Sequence, residues 1–299
     1  MKKIRPKITY LISAGFFIVF VGFLGIIPFR AMYVFSDFLA FMLRKVFRYR
    51  FSVILKNLHE SNLEIDDREK KKLVKDIYKN LSDIIVEGIK SFTMSEASVL
   101  KRHKVLNPEI VLPFYEKKQS MILVTGHICN WEWGSLSAGL YTPYHITAFY
   151  KPLRNPYIDR FLSRTRSRFG TTLASIKETG ASFERQKGTP TLFLMAADQS
   201  PSKIQYAYWI EFLGRETAFL HGPERHSRIN DLPVLFTDIA RVKRGHYEIK
   251  LSILTSEPQK LPEGEITRRY AGNLEQVIKE NPSKWLWSHK RWKHKRKKE

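Results

Sequence analysis

The stretch Gly126-His127-Ile128-Cys129-Asn130-Trp131-Glu132-Trp133-Gly134 carries the pairing best suited to chemistry, an imidazole followed by a carboxylate at H-x4-E spacing. A carboxylate on one ring nitrogen fixes the tautomer and stabilises the imidazolium. The other nitrogen is then free to take a proton from a hydroxyl. On one regular helix that spacing separates the two side chains by about 140°, so His127 and Glu132 meet only if the chain turns between them. Cys129 offers a thiol in the same segment, although a small buried thiol is the commoner role. The spacing lacks the i,i+4 arrangement of helical zinc ligands. A lone cysteine also excludes a Cys-based zinc cluster and an intrachain disulfide. The chain has no G-x-S-x-G and no P-loop, which speaks against serine α/β-hydrolase and NTPase chemistry.

The surrounding pattern determines what could position these groups. Met121–Thr125 (MILVT) reads as a buried strand, and Gly126 follows it. His127 is thereby placed at a strand-to-helix junction, where ligands and catalytic groups tend to sit. Trp131–Leu140 reads as the following helix. His145–Tyr150 and Thr191–Ala196 read as further strands, and Val234–Arg241 and Tyr247–Ile253 as a hairpin around Lys243-Arg244-Gly245. Asn155-Pro156 fits an N-cap and first helical position, opening a helix that runs to about Phe169. Amphipathic helices are expected over about Asp67–Phe92 and Thr267–Glu280; in the first, Leu73, Ile77, Leu81, Ile84 and Ile85 form the apolar face. The class is α/β, a mixed sheet flanked by helices.

The N-terminal region has another character. From Ile8 to Phe29 there is no charged side chain, a run of about 33 Å as a helix, close to the thickness of a bilayer core. Lys2, Lys3, Arg5 and Lys7 before it resemble a signal-peptide n-region, but the run is too long for an h-region and no A-x-A site follows. Pro28 breaks the helix, and Ala31–Leu43 is again apolar apart from Asp37. Residues 1–43 thus read as a membrane anchor, either spanning or dipping into one leaflet, and residues 44–299 as the catalytic domain. The chain carries 51 Lys and Arg against 29 Asp and Glu, a formal net charge of +22. Such a charge calls for a polyanionic partner. The basic stretch Arg44–Lys56 and the tail from Lys293 fit anionic headgroups.

Several blocks in order resemble the lipid A biosynthesis acyltransferase family, the late acyltransferases of lipopolysaccharide biosynthesis. They are Asn57-Leu58, Tyr78-Lys79-Asn80-Leu81 with Glu87, the His127–Glu132 block, and Lys151-Pro152-Leu153-Arg154-Asn155-Pro156 with Arg164-Thr165-Arg166. Ala197-Asp198-Gln199 and Pro282 with Trp285–Lys293 complete the series. Cys129 stands where the family usually has glycine, and the Phe-Pro lead-in after Asn57-Leu58 is missing. The resemblance implies a glycerol-phosphate-acyltransferase-like fold and transfer of a fatty acyl chain from acyl carrier protein or acyl-coenzyme A to a hydroxyl of a phosphorylated glycolipid. It implies no cofactor, no metal and no nucleic-acid partner. His127 is then the expected general base, Glu132 its orienting carboxylate and Arg164 a donor to the oxyanion. Lys151, Arg154 and Arg166 are expected phosphate clamps, Asn130 a substrate contact, and Asp198 and Gln199 either site-shaping groups or a turn cap. The expected location is the cytoplasmic side of the inner membrane. Two other readings stay open: another glycolipid or aminolipid acceptor, and a non-catalytic basic protein docked on anionic lipid or nucleic acid.

Overall fold

Met121, Ile122, Leu123 and Val124 are all buried, as consecutive strand residues are only when both sheet faces are covered. Their strand accordingly lies inside the sheet. The computed structural model describes residues 8–296; Lys2, Lys3, Arg5 and Lys7, and Lys297 and Lys298 of the basic tail, lie outside them. Helices α1 (Ile8–Ile26), α2 (Phe29–Phe41), α3 (Phe51–Glu60) and α4 (Asp67–Lys90) come first. There follow α5 (Glu96–Arg102), β1 (His103–Val105), α6 (Leu112–Glu116), β2 (Met121–Thr125), α7 (Gly134–Ser137), β3 (His145–Tyr150), α8 (Pro156–Arg166), β4 (Thr171–Ser175), α9 (Thr179–Arg185) and β5 (Thr191–Ala196). The hairpin β6 (Tyr208–Phe212) and β7 (Arg215–Phe219), α10 (Gly222–Asn230), β8 (Val234–Lys243), β9 (His246–Thr255) and α11 (Glu265–Glu280) complete the order.

The main sheet has seven strands in the order β1-β9-β8-β2-β5-β3-β4. Every pairing in it is parallel except β8 with β9. The mixed α/β class agrees with the expectation, and β2, β3 and β5 have the expected bounds. Between Trp131 and Leu140 the chain departs from it: two 3-10 turns flank the short α7 instead of one regular helix. Asn130 caps the first turn, accepting from Trp133 N at 3.2 Å. A side chain at Gly139 would run into the Phe169 carbonyl oxygen, so a close backbone approach fixes the end of this stretch.

A capping box opens α4, with Asp66 Oδ1 accepting from Glu69 N at 2.7 Å and Glu69 Oε2 from Asp66 N at 3.0 Å. Its apolar stripe is shifted from the expected one. Ile85 is exposed, whereas Asp83 and Glu87 are fully buried. Those two carboxylates are held from several elements, as buried charges must be. Asp83 accepts from Ser36, Arg241 and Arg244 at 2.6–3.1 Å. Glu87 accepts from Tyr33 Oη at 2.7 Å, and from Tyr247 Oη and Asn130 Nδ2 at 2.6 Å each. α2 is therefore tied to the sheet by polar contacts as well as by packing.

Candidate active site

Thr125 and Ala196 are paired at the carboxyl ends of neighbouring parallel strands β2 and β5. Two residues beyond each lie His127 and Asp198, so the parallel register delivers them to the same level. Asp198 grips His127 twice: Oδ2 accepts from the backbone N at 2.9 Å, and Oδ1 lies 2.5 Å from ring Nδ1. Trp285 Nε1 donates to the same carboxylate at 2.8 Å. A side chain at Gly126 would lie 2.6 Å from Leu274 Cδ1, so the turn passes close against α11 at this point. The Trp131 ring meets His127 edge-on, 4.9 Å between centroids.

The electrostatics follow from this burial. Burial pulls the His127 pKa down, but the Asp198 charge and hydrogen bond, with Glu132 at longer range, outweigh it and leave the pKa raised. Burial alone would raise Asp198, yet the imidazole and the donors around it hold it low. With Nδ1–H donating to Asp198, Nε2 is the basic nitrogen. Gln199 Nε2 sits 3.1 Å from it. His289, held below the ordinary histidine value at about 4 by burial, accepts from Ser200 N at 3.0 Å and braces this loop while neutral.

Glu132, expected to orient the ring, does not contact Nδ1. Glu132 is ion-paired with Arg166 instead, and Asp198 holds His127. The 3-10 turn at Trp131 directs Glu132 toward α8 and away from Nδ1. Arg164, expected as the oxyanion donor, is exposed and does not line the cavity, whereas Arg166 does. Two positions on a helix lie about 200° apart, so the two arginines take opposite sides. Lys151 lies on the cavity rim, while Arg154 is exposed and outside it. Asn130 is buried between Glu87 and the 3-10 turn, so it shapes the loop and does not face the cavity.

Cys129 has φ of 50°, in the left-handed region that glycine adopts most easily. Its thiol is buried and pushed up to about 11 by burial, which leaves it protonated and unreactive. Among the described residues, no group of three or more His, Cys, Asp or Glu side chains could hold a metal ion.

From His127 a cavity of about 830 Å³ extends over the sheet. Val105, Leu123, Leu194, Ile239, Ile249 and Leu251 line it, and strand register puts them on one sheet face. Ser135–Tyr141 and Pro108 with Val111 cover that face. His127, Glu132, Arg166 and Lys151 also line the cavity. Deeper in, His103 is fully buried, with Nδ1 2.7 Å from Ser137 Oγ, and burial holds it neutral at about 3. The arrangement suits a long apolar chain whose reactive end lies beside a general base. A family model described as bacterial lipid A biosynthesis acyltransferase matches residues 1–294.

The chain belongs to that family. No curated protein matches it. Membership of the lipid A acyltransferase family makes it an acyltransferase with an acyl donor and a lipid acceptor as substrates. Sequence reasoning missed Trp285 as a partner of Asp198 and Glu87 as the support of Asn130. Both lie within blocks already singled out, Trp285–Lys293 and the Tyr78–Glu87 helix, but their contacts cross more than forty residues of chain.

Proposed function

We propose that this acyltransferase, on a glycerol-phosphate-acyltransferase-like fold, moves a fatty acyl chain from acyl carrier protein or acyl-coenzyme A to a hydroxyl of a phosphorylated lipid A precursor. It does so on the cytoplasmic side of the inner membrane. The observation that carries the reading is His127, held by the buried Asp198 at the mouth of the long apolar cavity. The acyl chain lies in the cavity with its thioester carbonyl beside Nε2. Nε2 takes the hydroxyl proton as the oxygen attacks the carbonyl, and Asp198 stabilises the imidazolium. The proton passes to the thiolate as the carbon–sulfur bond breaks, giving ester and free thiol. Gln199, displaced from Nε2 by the hydroxyl, is a side-chain donor for the oxyanion. Arg166 and Lys151 hold acceptor phosphate at the rim, and Glu132 sets the Arg166 guanidinium.

The test is transfer of a labelled acyl chain to purified glycolipid by folded, membrane-bound variants. His127→Ala is expected to lose roughly 10²- to 10⁴-fold. Asp198→Asn is expected to be severely impaired, and the double variant little worse than His127→Ala, because the two act as one unit. Near-normal turnover by folded His127→Ala protein sinks the mechanism.

A further inference from the structure

Every residue of α1 is uncharged, yet the helix is not free to leave the domain. Near its start, Asn155 Nδ2 donates to Tyr10 O at 2.9 Å and to Ser13 Oγ at 3.0 Å. One turn later Phe17 meets Phe161 of α8 edge-on, 6.3 Å between centroids. At its end, Thr93 Oγ1 donates to Gly25 O at 2.7 Å and Lys90 Nζ to Ile27 O at 2.8 Å. A side chain at Gly25 would collide with Thr93, so glycine permits the close approach. From Tyr10 to Gly25 the helix covers about 22 Å, and it is docked at both ends of that length.

The partners it touches are polar elements. α8 carries Asp159, Arg160, Arg164 and Arg166, and α4 ends at Lys90. If α1 crossed the bilayer with these contacts intact, α8 and its charges would be carried into hydrocarbon, which charged side chains strongly resist. If it crossed without them, it would forfeit the hydrogen bonds and burial at Ala14, Val21, Leu24 and Gly25. The opposite face is apolar and open. Ile8, Phe16, Val19, Phe23 and Ile26 recur at helical spacing and are 62–76% exposed. α2 and the turn after it also expose Val34, Phe38, Phe41, Val46 and Phe47, the last two flanked by exposed Lys45 and Arg48. Apolar side chains beside lysine and arginine match the acyl and headgroup layers of an anionic leaflet.

We infer that α1 lies in the plane of the membrane with its outer face sunk into one leaflet, so that both ends of the helix stay on the side of the catalytic domain. This rests on the membrane attachment proposed above and goes beyond it. It sets the cavity rim at the membrane surface, because α8 packs on α1 with one side and contributes Leu162 and Arg166 to the cavity with another. A lipid acceptor then reaches His127 from the leaflet without leaving it.

Two measurements on the full-length protein in native membranes test this. In one, a cysteine-bearing tag ahead of Met1 and, separately, Ser256→Cys are probed with a membrane-impermeant maleimide in sealed vesicles of known orientation. The native Cys129 is 2% exposed and stays silent. Both probes are expected to label from the same side; labelling from opposite sides overturns the inference. In the other, Ser13→Cys paired with Asn155→Cys is treated in the membrane with a short membrane-permeant bismaleimide. A cross-link within one chain is expected, since the native side chains are hydrogen-bonded at 3.0 Å. Failure to cross-link in membranes also overturns the in-plane helix. Release of the uncross-linked protein by high salt would instead remove the membrane attachment on which it depends.

Discussion

At the scale of the residue, the site turns on which nitrogen of His127 is basic. Because the Asp198 carboxylate raises the ring's pKa, the free enzyme should hold a proton on His127 at mildly acidic pH and lose activity there. The acid limb of kcat/KM is therefore expected above the ordinary histidine value of about 6.5, with activity rising as pH increases through it. Asp198→Asn removes the charge that raises it, so the residual activity should have its acid limb at lower pH. A limb that does not move separates the titration from His127. Arg164 and Arg166 give a sharper comparison. Arg166→Ala should raise KM for the phosphorylated acceptor by roughly 10- to 100-fold, the worth of a charge-assisted hydrogen bond, while Arg164→Ala should stay near normal. Steady-state kinetics with varied acceptor decides it. The sequence made His127 legible because strand, glycine and histidine are contiguous. It did not reveal Asp198 as the partner, since a carboxylate five residues on looks nearer than one brought by the register of β2 and β5. The choice between Arg164 and Arg166 depends on how α8 is rotated against its neighbours, which its own sequence leaves open.

At the scale of the element, apolar runs with β-branched members located β2, β3 and β5 well, because strands buried on both faces leave little else those residues can do. The short edge strand β4, with Thr171 and Thr172, and the hairpin β6–β7 carried no comparable run and went unread. α4 shows the opposite error. Ile85 looked like core, but Asp83 and Glu87 take the inner face because α2, β8 and β9 supply their hydrogen bonds. Glu87 thus links the N-terminal helices to the catalytic loop through Asn130. Glu87→Ala would leave Tyr33, Tyr247 and Asn130 without their acceptor, a loss of about 3 kcal/mol or more that lowers Tm by roughly 6–12 °C. A thermal melt of detergent-solubilised protein checks it, and an unchanged Tm would show that the network contributes no net stability.

At the scale of the whole molecule, the net charge of +22 concerns encounter rather than fold. If the donor arrives on an acidic carrier protein, kcat/KM for that donor should fall steeply with ionic strength, and more steeply than for acyl-coenzyme A. Equal slopes would leave the basic surface to lipid phosphate. The C-terminal segment has a separate consequence. Trp285 binds the Asp198 carboxylate, Leu286 N donates to His127 O at 3.1 Å, and Cys129 N donates to Lys284 O at 3.0 Å. The floor beneath the base is therefore synthesised well after the base itself. If the N-terminal helices rest on a membrane as inferred above, that contact can form long before residues 284–286 emerge. Until they do, the catalytic loop lacks its underside, so a growing chain at the bilayer has no finished site with which to waste activated donor.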